Sequence, residues 1–202
     1  KSQDGFIILI FHGNGGHVGH RVNKFKSFID EGYGLFFLEY RGYADNPGKP
    51  SETGLYNDAL AAIKFLSDNN IKSDKLILYG ESLGCGIAVK LSTKSQYAAT
   101  ILEAPYTSIN DVAQKHYWYL PAKWLVFDKY NIIDIVKNIK SPLLILHGEK
   151  DNIIDINFGK KVFKVANEPK ESLFIPNAGH NNIFEFDAKK KILFFLKKQK
   201  IY

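Results

Sequence analysis

A mostly parallel β-sheet flanked by helices on both faces is the architecture predicted for this 202-residue chain. Short continuous apolar runs, the pattern of strands buried on both faces, alternate with segments whose apolar residues recur at helical spacing. Residues capable of chemistry, His12, Ser82 and His147, fall just after those runs. In sheets of this kind, function collects beyond the C-terminal strand ends.

The first apolar run covers residues 6–11 and is followed by a glycine loop, residues 12–19. Val22, Phe25, Phe28 and Ile29 then share helical spacing, and residues 35–38 read as the next strand. Residues 40–50 form a turn-rich loop with Gly42, Pro47, Gly48 and Pro50. Ser51 is placed to cap a helix in which Leu55, Ala59, Ala62, Ile63 and Leu66 form one face. Residues 76–79 are a third strand, and the helix after it runs to about Leu91. Residues 98–102, 143–146 and 173–175 complete the strands; helices are expected from about Asn157 to Val165 and from about Phe184 to Lys198. The whole chain reads as one domain, with residues 104–140 as a cap-like insertion. Tyr106, Tyr117, Trp118 and Trp124 in that stretch are candidates to line an apolar substrate pocket, with packing against the body as the competing role.

Hydrophobic residues make up 45% of the chain and aromatics 14%, which excludes a disordered polymer. The longest apolar run has six residues, too few to span a bilayer. Cys85 is the only cysteine, so no internal disulfide framework exists. Net charge is +6, but Arg21 and Arg41 are the only arginines. Nucleic-acid readers depend on the bidentate guanidinium fork, so nucleic acid is not an expected partner. Weak attraction to anionic membrane surfaces fits the basic balance. The basic, apolar stretch 189–198 reads foremost as a final helix packed on the sheet with its lysines outward, and secondarily as a membrane-docking helix.

The most informative string is Gly80-Glu81-Ser82-Leu83-Gly84, directly after a buried strand and before a small-residue helix. A strand, G-x-S-x-G, helix sequence is the context of a nucleophile elbow, which holds the serine hydroxyl clear of the sheet at a helix N-terminus. A serine needs a base and an orienting carboxylate, in the chain order Ser, acid, His. Asp151 and His180 each lie five residues beyond their predicted strands and satisfy that order, with Glu149 and Asp155 as alternative acids. The oxyanion of a tetrahedral intermediate needs two N–H donors. Leu83 supplies one, and Asn14 in the loop His12-Gly13-Asn14-Gly15-Gly16 the second, with Gly15 as the alternative. No Gly-Lys-Ser/Thr follows that loop, which argues against a phosphate cradle. His17 and His20 have a metal-like spacing but no third ligand in sequence, so neither metal nor organic cofactor is expected.

With loop, elbow, acid and histidine in place, the chain resembles the α/β-hydrolase family over nearly its whole length. The likeness rests on residues 11–16 (FHGNGG), 39–43 (EYRGY), 50–55 (PSETGL), 80–84 (GESLG) and 179–181 (GHN). It is similar above all to the small α/β-hydrolase-domain proteins, some of which are serine hydrolases acting on lipid or fatty-acyl thioester substrates. The subgroup's Arg-Gly-Tyr-Gly is here completed by Ala44, and Cys85 stands where glycine is common. The resemblance also implies an antiparallel hairpin before the first strand, so a segment preceding Lys1, with a membrane anchor, is expected. It implies an esterase or thioesterase acting through Ser82, Asp151 and His180 on a small or acyl substrate. The alternatives are a peptidase of the same fold and a catalytically silent binding module.

Overall fold

The computed structural model describes residues 5–202. Its six strands, β1 (Ile7–Phe11), β2 (Gly34–Leu38), β3 (Leu76–Glu81), β4 (Ala99–Glu103), β5 (Leu143–Gly148) and β6 (Lys170–Ile175), form one sheet in the order β2-β1-β3-β4-β5-β6. Every neighbouring pair is parallel. Phe11 of β1 is level with Gly80 of β3, and Gly80 with Leu102 of β4. The loops that leave these strands therefore emerge side by side at one edge of the sheet.

Successive strand residues face opposite sides, and each side has its own core. Leu9, Phe11, Leu78 and Ile145 pack under α2 (Glu52–Asp68), α3 (Gly84–Lys94) and α6 (Ile156–Val165). Ile8, Ile10, Ile77, Leu144 and Leu146 pack under α1 (Val22–Phe25) and α7 (Ala188–Lys198). Each fully buried Leu or Ile contributes about 1.5–3 kcal/mol, so both faces are needed. The expected helix from Val22 to Ile29 is α1 followed by a 3-10 turn at Lys26–Phe28. Ser51 caps α2 as its sequence suggests: its Oγ accepts from Gly54 N–H at 3.1 Å.

Residues 104–140, between β4 and β5, hold α4 (Ile109–His116), α5 (Ala122–Leu125) and a 3-10 turn at Val136–Asn138. The insertion is closed at its base: Ile132 and Ile133 N–H donate to Thr107 O at 2.9 and 3.0 Å, and Ile109 N–H to Lys129 O at 2.8 Å. The last helix, α7, buries Ala188, Ile192, Phe195 and Leu196 against the sheet. Its Lys189 and Lys198 pair with Glu31 and Glu171 at 2.9 Å each, while Phe194 stands exposed on the outer side.

Candidate functional site

Ser82 sits at the turn between β3 and α3 with φ of +50°, in the left-handed region. A non-glycine residue there is strained by about 1–3 kcal/mol and persists only where its surroundings dictate it. The surroundings are tight. A Cβ on Gly80 would lie 2.6 Å from Gly84 O, and one on Gly84 would overlap the backbone of Phe11 in β1. Ser82 N–H is anchored to Glu103 O at 2.9 Å. Cys85, just beyond the turn, is buried with its thiol 3.2 Å from both Gly80 O and Glu103 O. Burial pushes that thiol well above its ordinary pKa, which suits a structural, unreactive cysteine.

Beside the turn lies the glycine loop: a Cβ on Gly13 would come within 3.2 Å of Ser82 Cβ. Gly15 N–H donates back to Gly13 O at 3.0 Å, which occupies the alternative oxyanion donor. Asn14 is held through its side chain, whose Oδ1 accepts from Tyr43 OH at 2.6 Å. His12 is buried, with Nε2 2.9 Å from Glu39 and Nδ1 2.8 Å from Gly13 O; burial is the main cause that lowers its pKa.

The acid and the histidine meet. His180 Nδ1–H donates to Asp151 Oδ2 at 2.7 Å. A carboxylate oxygen only accepts, so the proton of this bond sits on Nδ1, and in the neutral ring that tautomer leaves the lone pair on Nε2. The other Asp151 oxygen accepts from Ile153 N–H at 2.9 Å and Ile154 N–H at 2.8 Å. Burial by itself pushes this carboxyl up, but hydrogen bonds from His147 and His180 outweigh it and hold it well below the usual carboxylate range. The alternative acids are engaged elsewhere: Asp155 caps α6 through Asn157 N–H at 2.8 Å and pairs with Lys115, and Glu149 faces Lys160 at 3.7 Å.

His147 has a part that its position did not suggest. Its Nε2 lies 2.8 Å from Ile154 O and 3.3 Å from Asp151 Oδ2, with the ring fully buried. The carbonyl can only accept, so Nε2–H is the donor and is shared with the carboxylate. Gly159 of α6 packs directly on the ring's Nδ1, closer than any Cβ could stand.

A second group of residues escaped the sequence reading altogether. Glu81, next to Ser82, accepts from Arg21 Nη2 at 3.0 Å and Lys24 Nζ at 3.1 Å. Lys24 also reaches the fully buried Glu103 at 2.5 Å, where Tyr79 OH donates at 2.5 Å. Arg21 Nη1 donates to Gly15 O at 2.7 Å. Two carboxylates and two cations thus tie the glycine loop and α1 to the elbow. Burial pushes Lys24 down and Glu81 up, yet the opposite charges prevail, so Lys24 is raised and Glu81 lowered. The ion pairs join residues 57 to 79 apart in the chain, and no local pattern marks them.

The four candidate pocket aromatics divide between the core and the surface. Tyr106 is wholly buried in the core and its OH donates to Leu83 O at 3.2 Å. Tyr117, Trp118 and Trp124 are exposed at the surface. Aromatic content alone does not distinguish a pocket wall from a core or an outer face. His17 and His20 stack on each other with centroids 4.0 Å apart, and among the described residues no group of three or more His, Cys, Asp or Glu is placed to hold a metal ion.

Comparison with known proteins places the chain in context. The sequence profile of the family described as serine aminopeptidase, S33, matches residues 3–127. Lysophosphatidylserine lipase ABHD12 of Danio rerio is 35% identical over 184 residues, 81% of this chain and 48% of that protein. Alpha/beta hydrolase domain-containing protein 17B of Homo sapiens is 33% identical over 180 residues, 88% of this chain and 61% of that protein. The chain spans between about half and just under two thirds of the length of the curated relatives it matches. A solved esterase of Pyrococcus furiosus superposes with a TM-score of 0.80 over 98% of this chain and 84% of that one, at 22% identity, which is a likeness of fold.

Proposed function

The chain belongs to the serine aminopeptidase S33 family of α/β hydrolases, and from that membership we propose that it is a serine hydrolase cleaving a carboxylic ester or acyl thioester. The observation that carries the reading is the Asp151–His180 pair at 2.7 Å, with the tautomer that leaves Nε2 free to accept a proton, at the same sheet edge as the strained Ser82. In the proposed reaction Ser82 Oγ attacks the substrate carbonyl carbon as its proton passes to His180 Nε2. Asp151 holds the ring and stabilises the imidazolium. The N–H groups of Leu83 and Asn14 receive the oxyanion, usually the largest catalytic contribution. Collapse expels the alcohol or thiol, which takes the proton from His180. Water, deprotonated by His180, then releases the acid and restores Ser82.

An ester is favoured over a peptide because relatives and fold neighbours carry lipase and esterase names, whereas the peptidase reading rests on the family's description. Activity on p-nitrophenyl esters of graded chain length beside aminoacyl-nitroanilides separates the two; cleavage of the anilides alone overturns the esterase reading. A fluorophosphonate probe is expected to label the protein but not Ser82→Ala, and that variant is expected to lose ester turnover to background. Absence of labelling in the well-folded parent protein would make the chain a binding module instead.

A further inference from the structure

We propose that the exposed aromatic segment of the insertion, residues 117–127, is a docking surface for anionic phospholipid membranes. Trp118 is 79% exposed, Trp124 88% and Phe127 95%, with Tyr119 and Leu125 above 60% beside them. About half of the described exposed large apolar side chains fall within these residues, while the rest are scattered over the molecule. A patch of this kind marks an interaction surface.

Three features select a lipid headgroup region as its occupant. The first is composition: tryptophan and tyrosine favour the level where a ring meets both acyl chains and water. The second is charge. Between Asp111 and Asp128 the only charged residues are Lys115 and Lys123, and the next residue, Lys129, is exposed, in a chain of net charge +6. Lys115 is spent on Asp155, so the attraction to an anionic surface rests on Lys123, Lys129 and the net charge of the chain. The third is position. Lys115 pairs with Asp155, and His116 Nε2–H donates to Ile153 O at 2.7 Å, so α4 delivers the segment beside the loop that carries Asp151.

Trp118 and Trp124 are the only tryptophans, so emission excited selectively in tryptophan reports this patch. Phosphatidylcholine vesicles with and without about 30 mol% phosphatidylserine, added to the protein at low salt, are the probe. The expected result is a blue shift of the emission with the anionic vesicles, suppressed by salt. The double variant Leu125→Ser, Phe127→Ser keeps both reporters and is expected to lower vesicle affinity at least tenfold with unchanged far-ultraviolet circular dichroism. No shift with either vesicle overturns the proposal, as does a double variant that binds as tightly as the parent. A shift produced by raising protein concentration alone also overturns it, because the occupant is then a second copy.

Discussion

Four donors converge on the Asp151 carboxylate: two backbone N–H groups on one oxygen, His180 and His147 on the other. Asp151→Asn keeps the shape but reverses the hydrogen-bond polarity at His180, and kcat is expected to fall about 10⁴-fold with the fold intact. The same carboxylate links pH to stability. Its folded pKa lies below the unfolded one, so its ionised form stabilises the fold. That contribution is complete above the unfolded value of about 4 and is lost as pH falls further. Urea unfolding at a series of pH values should therefore show the parent's advantage over Asp151→Asn shrinking in acid; a constant difference would refute the linkage. Gly159→Ala tests the support behind the acid. In a helix that exchange ordinarily gains about 1 kcal/mol. Here the new methyl meets the locked, buried ring of His147, so a net loss of about 1–3 kcal/mol and about tenfold in kcat/KM is expected. Sequence order marked Asp151 and His180 as candidates and left Glu149 and Asp155 open as the acid. It could not reveal His147, which sits too near its strand end to serve as the base yet is placed to steer the acid.

The ion network ties α1 to the ends of β3 and β4, which the sheet already holds level at Glu81 and Glu103. Removing one member of a buried ionic group leaves the others uncompensated. Lys24→Met strips Glu103 and Glu81 of a shared cation and is expected to cost about 3–5 kcal/mol in urea unfolding. Adding Glu103→Gln, which keeps an acceptor for Tyr79 OH, should restore more than half of the loss. An unrecovered double variant would mean that the lysine acts chiefly through Glu81 or through its cation over the Phe184 ring, whose centroid lies 4.8 Å from Nζ. Strands and their succession were legible because burial on both faces writes continuous apolar runs into the chain. The shortness of α1 and the pairing of its cations were not, because charges are read only against partners that folding supplies.

The molecule as a whole divides its aromatics unequally. Phe25, Phe28, Tyr40, Tyr79 and Tyr106 are sealed in the two cores, while both tryptophans stand in solvent. Native tryptophan emission is therefore expected to lie close to that of the unfolded chain, and urea should barely move it while far-ultraviolet dichroism reports a full transition. A strongly blue-shifted native spectrum would show that the insertion closes onto the body. The +6 charge is also spread by tertiary structure: lysines of α7 are spent on Glu31 and Glu171, while the insertion's Lys129 stays exposed.

Local pattern was enough to indicate the parallel sheet, the tight turn at Ser82 and the capping of α2, because each depends on neighbours within a few positions. Folding alone decided which aromatics are core and which are surface, which carboxylate His180 meets, and what holds the glycine loop to the elbow. Those outcomes depend on contacts between residues tens of positions apart, and a contact of that range leaves no period or spacing in the chain from which to read it.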